Sequence, residues 1–341
     1  MSHLANRLTV TASGLAWGMV RRRPLPITGA VIVVALAAAA CGGGDAPPAR
    51  DAPGRLQVVA TTAVLADLAR NVGGDSVEVR SLVRPGADIH SYQSTPGDSV
   101  AIHEARVIVT NGGGLDDALQ PVIDAARRSD ATVVAVAEEI RAGRIAVTSL
   151  TMGDGNPGDG GPVAQPADDD PHLWLDPTFA IGYVALIRDA MIKADPDHAE
   201  QYRTNADAYI QELTKLDAEV EEMLRAVPPH RRRLVTFHDA YGFFGQRYGF
   251  AVSALAGSQA GDVTSGAVGA IVDRIRNEGI PAVFAEPQFN QDVLRQVARD
   301  TGAAVGIIYS DVLIDEAPTY LDMMRANARN IAALLGGDEG R

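Results

Sequence analysis

The sequence predicts an α/β protein of two similar lobes, each a mostly parallel sheet flanked by helices, joined by one long rigid helix. Short apolar runs alternate with helical patterns, the rhythm of βα units and therefore of parallel pairing. That alternation occurs twice, once in each half of the chain. Between the halves stands one long amphipathic stretch, residues 196 to 227. At 341 residues and 46% apolar composition the chain exceeds what one small core organises, so two lobes are the natural partition.

In the first lobe, residues 55–195, Leu56-Gln57-Val58-Val59-Ala60-Thr61 reads as an apolar strand. A helical pattern over 64–72 follows and ends at Gly73-Gly74, residues suited to a left-handed C-cap. Residues 77–83 alternate at period two, a turn-rich stretch carries His90, a helix lies near 99–104, and Arg106–Thr110 supplies another strand. Asn111-Gly112-Gly113-Gly114 lacks both GxGxxG spacing and a Walker lysine, so it reads as a tight turn after that strand. Residues 151–170 are rich in Gly, Asp, Asn and Pro and end in Asp168-Asp169-Asp170, the composition of an exposed acidic insertion.

Residues 177–194 are helical in pattern. Within 196–227, Tyr202, Ala206, Tyr209, Leu213, Leu216, Val220, Met223 and Leu224 recur mostly three or four apart and form one apolar face. At 1.5 Å per residue this helix runs roughly 45 Å, long enough to act as a strut between the lobes. Pro228-Pro229 stops it, and the second lobe, 228–341, repeats the first with buried strands at 234–237, 282–285 and 304–308.

The amino terminus reads as a secretory signal over 1–40: Arg21-Arg22-Arg23, an apolar run from Ile27 to Ala40, then Cys41. Residues 41–54 have almost nothing apolar and read as a flexible tether. Cys41 is the only cysteine, which excludes disulfides and a zinc site of several thiolates. Residues 41–341 hold 26 basic against 43 acidic side chains, a net charge of −17 that excludes nucleic acid as a partner. Ala38-Ala39-Ala40-Cys41 resembles a bacterial lipobox, which implies a lipidated Cys41 and anchoring to the outer face of the cell membrane.

His90, His172 and His238 each lie just after a strand or at a loop entering a helix, where ligands gather at the carboxyl edge of a parallel sheet. Each has an acid close by: Asp88, Asp170 and Asp239. Neutral imidazole is the commonest transition-metal ligand. His103, His198 and His230 fall in helices or a Pro/Arg turn and read as ordinary surface residues. Spacing alone leaves the first three open between ligands and structural histidines.

Longer motifs go further. Pro85-Gly86-Ala87-Asp88-Ile89-His90-Ser91-Tyr92-Gln93-Ser94-Thr95-Pro96 resembles the first signature of the zinc and manganese solute-binding lipoproteins of ABC metal importers, cluster A-I, with Ile89, Gln93 and Ser94 in place of the more usual Pro, Glu and Pro. Asp170-Pro171-His172-Leu173-Trp174-Leu175-Asp176-Pro177 is similar to the second at almost every position. Val235–Phe244 with Arg247-Tyr248-Gly249 is similar to the third, and Tyr309-Ser310-Asp311 with Tyr320–Asn327 to the last. The resemblance covers residues 55–335.

It implies a metal held in an inter-lobe cleft by His90 and His172 from one side and His238 and Asp311 from the other. A monomeric receptor would then deliver the ion to an ABC permease and its ATPase. Three imidazoles and one carboxylate leave a divalent ion with a net charge of +1 and little room for an attacking water, so the site binds without catalysing. Nitrogen-rich ligation, with His238 where manganese-preferring relatives often carry a carboxylate, favours zinc; manganese is the second candidate. Asp88, Asp239 and Glu286 are expected to accept the other ring N–H of the ligand histidines. A secreted zinc hydrolase is the main rival, but the chain has no HExxH or GxSxG motif, and His103-Glu104 is not followed by a second His. A surface adhesin or metal chaperone acting without a permease is the third reading.

Overall fold

A computed structural model describes residues 54–144 and 163–337. The signal segment, Cys41, most of the tether and residues 145–162 of the insertion lie outside the described residues.

The first sheet takes its strands from β1 (Leu56–Ala60), β2 (Val77–Ser81), β3 (Val107–Thr110) and β4 (Thr132–Ala135), in the order β2-β1-β3-β4. Its crossovers are α1 (Ala63–Gly73), α2 (Pro96–Glu104) and α3 (Gln120–Ala126), and α4 (Val136–Arg141) follows β4. Every pairing is parallel. Thr62 starts α1 by accepting the N–H of Leu65 at 3.2 Å, and Gly74, at φ 55°, ends it. The chain then runs through α5 (Pro177–Ala194) and α6 (Ala199–Leu224).

The second sheet repeats the first sheet's winding with β5 (Arg233–His238), β6 (Ala251–Ala256), β7 (Ala282–Ala285) and β8 (Ala304–Ile307), in the order β6-β5-β7-β8, again all parallel. Its helices are α7 (Gly242–Tyr248), α8 (Ser265–Glu278), α9 (Asp292–Thr301) and α10 (Tyr320–Leu335). Repeated topology places the carboxyl ends of β5, β7 and β8, and the loops after them, in positions matching those of the first lobe.

α6 is not a free-standing strut. Tyr202, Ala206, Tyr209, Leu213, Leu216, Val220 and Leu224 are buried along it, and it packs on α1 and α5 of the first lobe and α10 of the second. A helix with one apolar face must cover that face, and here both lobes cover it. One apolar core therefore runs from β1 through α5 and α6 to Tyr241, Phe244 and Tyr320. A smaller cluster, including Val235, Leu255, Ile271, Ile275, Leu294 and Val297, fills the space between the second sheet and α8 and α9. Polar pins reinforce the join. Asp67 of α1 accepts the N–H of Tyr320 at 2.9 Å, and Arg247 of α7 pairs with Asp217 of α6 and lies 3.8 Å from Asp176, the N-cap of α5.

The end of the insertion corrects an expectation. Residues 165 and 167–169 are exposed, but the N–H of Ala164 donates to Phe250 O at 2.9 Å and Asp170 is buried. α7 makes room by carrying glycine: a Cβ on Gly245 would come within 2.8 Å of Ala164, and one on Gly242 within 3.0 Å of Pro166. A turn-like composition reports exposure on average, and here the last residues are drawn in by packing across to the second lobe.

If α6 is the shared spine, Leu213→Ala lowers the unfolding free energy by about 2–5 kcal/mol. Exposed Glu222→Ala, on the opposite face, changes it by less than about 0.5 kcal/mol. Urea unfolding followed by far-UV circular dichroism checks both.

Candidate metal centre

Each histidine is placed by local backbone chemistry. His90 follows β2 on an irregular loop, where the Asp88 carboxylate accepts its backbone N–H at 2.9 Å. His172 repeats that Asp-x-His turn, Asp170 accepting its N–H at 3.0 Å. Its loop is also tied to the turn at the end of β3, where Asn111 donates its amide to Pro171 O at 3.0 Å and accepts the Tyr183 hydroxyl at 2.9 Å. That turn needs its glycines, since Gly112, Gly113 and Gly114 all have positive φ, and Asp116 receives the N–H groups of Asn111 and Gly112. His238 is the last residue of β5, and its N–H donates to Glu286 at 3.2 Å. Asp311 follows β8, where Asn327 of α10 clamps Tyr309 on both sides: its amide oxygen accepts the Tyr309 N–H at 2.8 Å and its amide nitrogen donates to Tyr309 O at 2.7 Å. Across the lobes, Trp174 Nε1 donates to Ser310 O at 2.9 Å.

These placements bring His90, His172, His238 and Asp311 together, with donor atoms all within 4.8 Å of one another. His172 Nε2 and His238 Nε2 are 3.4 Å apart. Asp311 Oδ1 lies 3.4 Å from His172 Nε2, while Oδ2 lies 3.3 Å from His238 Nε2 and 3.6 Å from His90 Nε2. A tetrahedron with ligands about 2.1 Å from its centre has edges of roughly 3.4 Å, the separation of His172 Nε2 and His238 Nε2, and each of the three histidines has an Asp311 oxygen within 3.6 Å. All four side chains are almost fully buried, yet among the described residues His90 Nε2 and Asp311 Oδ1 have no hydrogen-bond partner. Orphaned buried donors and acceptors cost roughly 1–3 kcal/mol each, so their convergence on one point calls for a ligand there.

The surrounding acids differ from expectation. Glu286 Oε2 is 2.8 Å from His238 Nδ1. Asp88 meets only the backbone of His90, whose Nδ1 is buried without a partner, and Asp239 is exposed at the loop surface. The acid beside the His172 ring is Asp170, whose Oδ1 is 2.8 Å from Nδ1. The only signal for it was the Asp-x-His spacing it shares with Asp88. Ser310, Gln288 and Phe289 were also missed: Gln288 and Ser310 contact Asp311, and Phe289 lies 4.9 Å from the His238 ring and stacks on Phe237.

Charge follows geometry. Asp170, Glu286 and Asp311 are all buried, and their side-chain partners are imidazoles, a serine and a glutamine. Burial pulls the His238 pKa down, but the charges of Glu286 and Asp311 overcome it and push it up to about 10. Burial raises Asp311, and the charges of His172 and His238 outweigh it and hold the carboxyl well below its usual range. The pocket is thus anionic and stabilises positive charge at its centre.

Two equally wound lobes with donors converging from both define a metal-site solute-binding protein. Residues 58–334 match the family described as zinc-uptake complex component A, periplasmic, and the chain belongs to that family. It is 34% identical over 304 residues to a manganese-binding lipoprotein of Halalkalibacterium halodurans, covering 87% of this chain and 94% of that one. It is 32% identical over 293 residues to an iron-binding protein of Yersinia pestis, covering 84% and 88%. Among solved structures, the periplasmic zinc-binding protein TroA of Treponema pallidum superposes with a TM-score of 0.73 at 29% identity, covering 83% of this chain and all of that one.

Asn327 is the brace behind Asp311. Asn327→Ala leaves both polar groups of Tyr309 without their side-chain partner in a buried setting, and is expected to cost at least about 2 kcal/mol in urea unfolding; no loss of stability would remove the brace from the site's architecture.

Proposed function

We propose that the protein is an extracytoplasmic receptor that captures a divalent transition-metal ion between its lobes and hands it to an ABC importer. The observation that carries this reading is the convergence of His90, His172, His238 and Asp311, two from each lobe, with orphaned donor atoms facing one point. Asp170 and Glu286 would orient His172 and His238 through their Nδ1 atoms and raise the basicity of the nitrogens facing the ion. Four protein donors in a buried pocket leave no open position for a nucleophilic water, which supports capture and release over hydrolysis.

Zinc is the favoured cargo: three imidazoles suit it, and His172 and His238 stand at the 3.4 Å separation of two donors on one small ion. Manganese is the second reading, favoured by the manganese-binding relative at 34% identity. The permease and ATPase partners, the lipid anchor at Cys41 and the monomeric state belong to the same proposal. Its support is the family and the names of the lipoprotein relatives.

Protein purified without added metal is expected to hold one ion per chain by elemental analysis. His172→Ala should lower zinc affinity by at least about tenfold with the circular dichroism spectrum unchanged, and Asp170→Asn by roughly 10–100-fold through loss of ring orientation. Metal content and affinity unchanged in His172→Ala would sink the proposal.

A further inference from the structure

Two aromatic rings pack on the histidines of the centre, and they are held in different ways. Trp174 is 2% exposed, lies 5.2 Å from the His172 ring, and is fixed by the bond from its Nε1 to Ser310 O. Phe289, on the loop after β7, is only half-buried. Its ring meets that of His238 edge-on at 4.9 Å and faces that of His90 at 6.4 Å, so it spans one histidine from each lobe. We propose that Phe289 is the gate of the centre, its side chain covering the route by which the ion enters and leaves and so setting the rate of exchange. This rests on the metal-capture reading above and deepens it.

The position of the ring follows from where the centre comes nearest to the surface. His172, His238 and Asp311 are buried residues, as are Asp170, Glu286 and Ser310 around them. Of the four ligand residues only His90 is partly exposed, and it is the one whose ring has no hydrogen bond at either nitrogen among the described residues. Ser91 beside it and Asn290 beside Phe289 are exposed. The way out of the donor set runs between these two loops, and the Phe289 ring stands in it.

Phe289 is also free to move where its surroundings are not. A phenyl ring has no polar atom to be hydrogen-bonded, and this one is backed by stacking on Phe237, 4.9 Å away and itself half-buried. The backbone beneath it is tied, the Phe289 N–H donating to Glu286 O at 3.2 Å in the turn that begins at the acid beside His238. Rotation of the side chain alone therefore uncovers the rings while Glu286 keeps its hold on His238. Such rotations are the fastest motions open to the centre, since the two lobes share one core through α6 and resist rigid-body opening.

An obstruction of this kind has its own kinetic signature. Phe289 offers the ion no ligand atom, so it adds to the barrier seen from both directions and little to the difference between bound and free states. Removing it speeds capture and release by the same factor. Removing a group that merely supports the ligands would instead speed release and weaken binding together.

The test measures Zn(II) capture and release by stopped flow on the full protein, release being followed into a chromogenic chelator, with Mn(II) run in parallel. In Phe289→Ala both rate constants are expected to rise about tenfold, the order of effect of one aromatic contact on a barrier, with the dissociation constant within about threefold of wild type. Phe289→Leu, which keeps apolar bulk over the rings, should stay within about threefold of wild type in both rates. Phe237→Ala removes the ring behind Phe289 and should move both rates in the same direction; it carries the test if Phe289→Ala does not fold. Unchanged rates in the folded variant overturn the gate, and so does faster release matched by an equal loss of affinity. A wild-type protein that binds neither ion, or a His172→Ala change that leaves binding intact, overturns the capture reading and the gate together.

Discussion

Burying the Asp311 carboxylate is the constraint around which the centre is arranged. An isolated buried charge is costly enough that it must be paired or neutralised. Asp311 escapes that cost through imidazoles on three sides and through Ser310 and Gln288 behind it. The imidazoles have to be aimed in turn, and for two of them a buried carboxylate does it. Carboxylates thereby stand both among and behind the imidazoles, an arrangement that an added cation balances and an added anion does not.

The fold supplies the aim. Repeating one strand order in both lobes puts the carboxyl ends of two sheets at the same place, and the donors occupy strand ends or the loops just beyond them. Those loops are fixed by bonds that reach away from the centre: Asn111 to Pro171, Trp174 to Ser310, Asn327 to Tyr309. Orientation precision of this kind comes from rigid elements and their supporting bonds, not from the ligands themselves.

Much of this was legible in the chain. Periodicity gave α1, α5 and the apolar face of α6 to within a few residues, because each has one face to bury. The meeting of His90, His172, His238 and Asp311 was legible through motifs whose spacing is unusual, above all Asp170–Pro177. What sequence could not supply was partnership across the fold. Asp170, Asp88 and Asp239 look alike beside their histidines, and only the packing of Ala164 and Pro166 on α7 decides that Asp170 is drawn inside. Glu286 was expected beside one of the rings, but that the ring is that of His238, 48 residues away, no local pattern says. The edge strands β4 and β6 were passed over because they are only partly buried, with little alternation to mark them.

The continuous core sets how the molecule can yield. Pulling the lobes apart as rigid bodies would part α6 from α10 inside a core that both lobes share, at about 1.5–3 kcal/mol for each large apolar side chain uncovered. Of the loops that bring the four residues together, the one carrying His90 has the fewest such ties: the bond at the histidine itself is that of its backbone N–H to Asp88. Of the three imidazoles, only that of His90 lacks a carboxylate at its Nδ1. Mechanically the protein is a stiff frame with one loosely held ring, since His90 is the one imidazole of the three with no hydrogen bond at either nitrogen among the described residues.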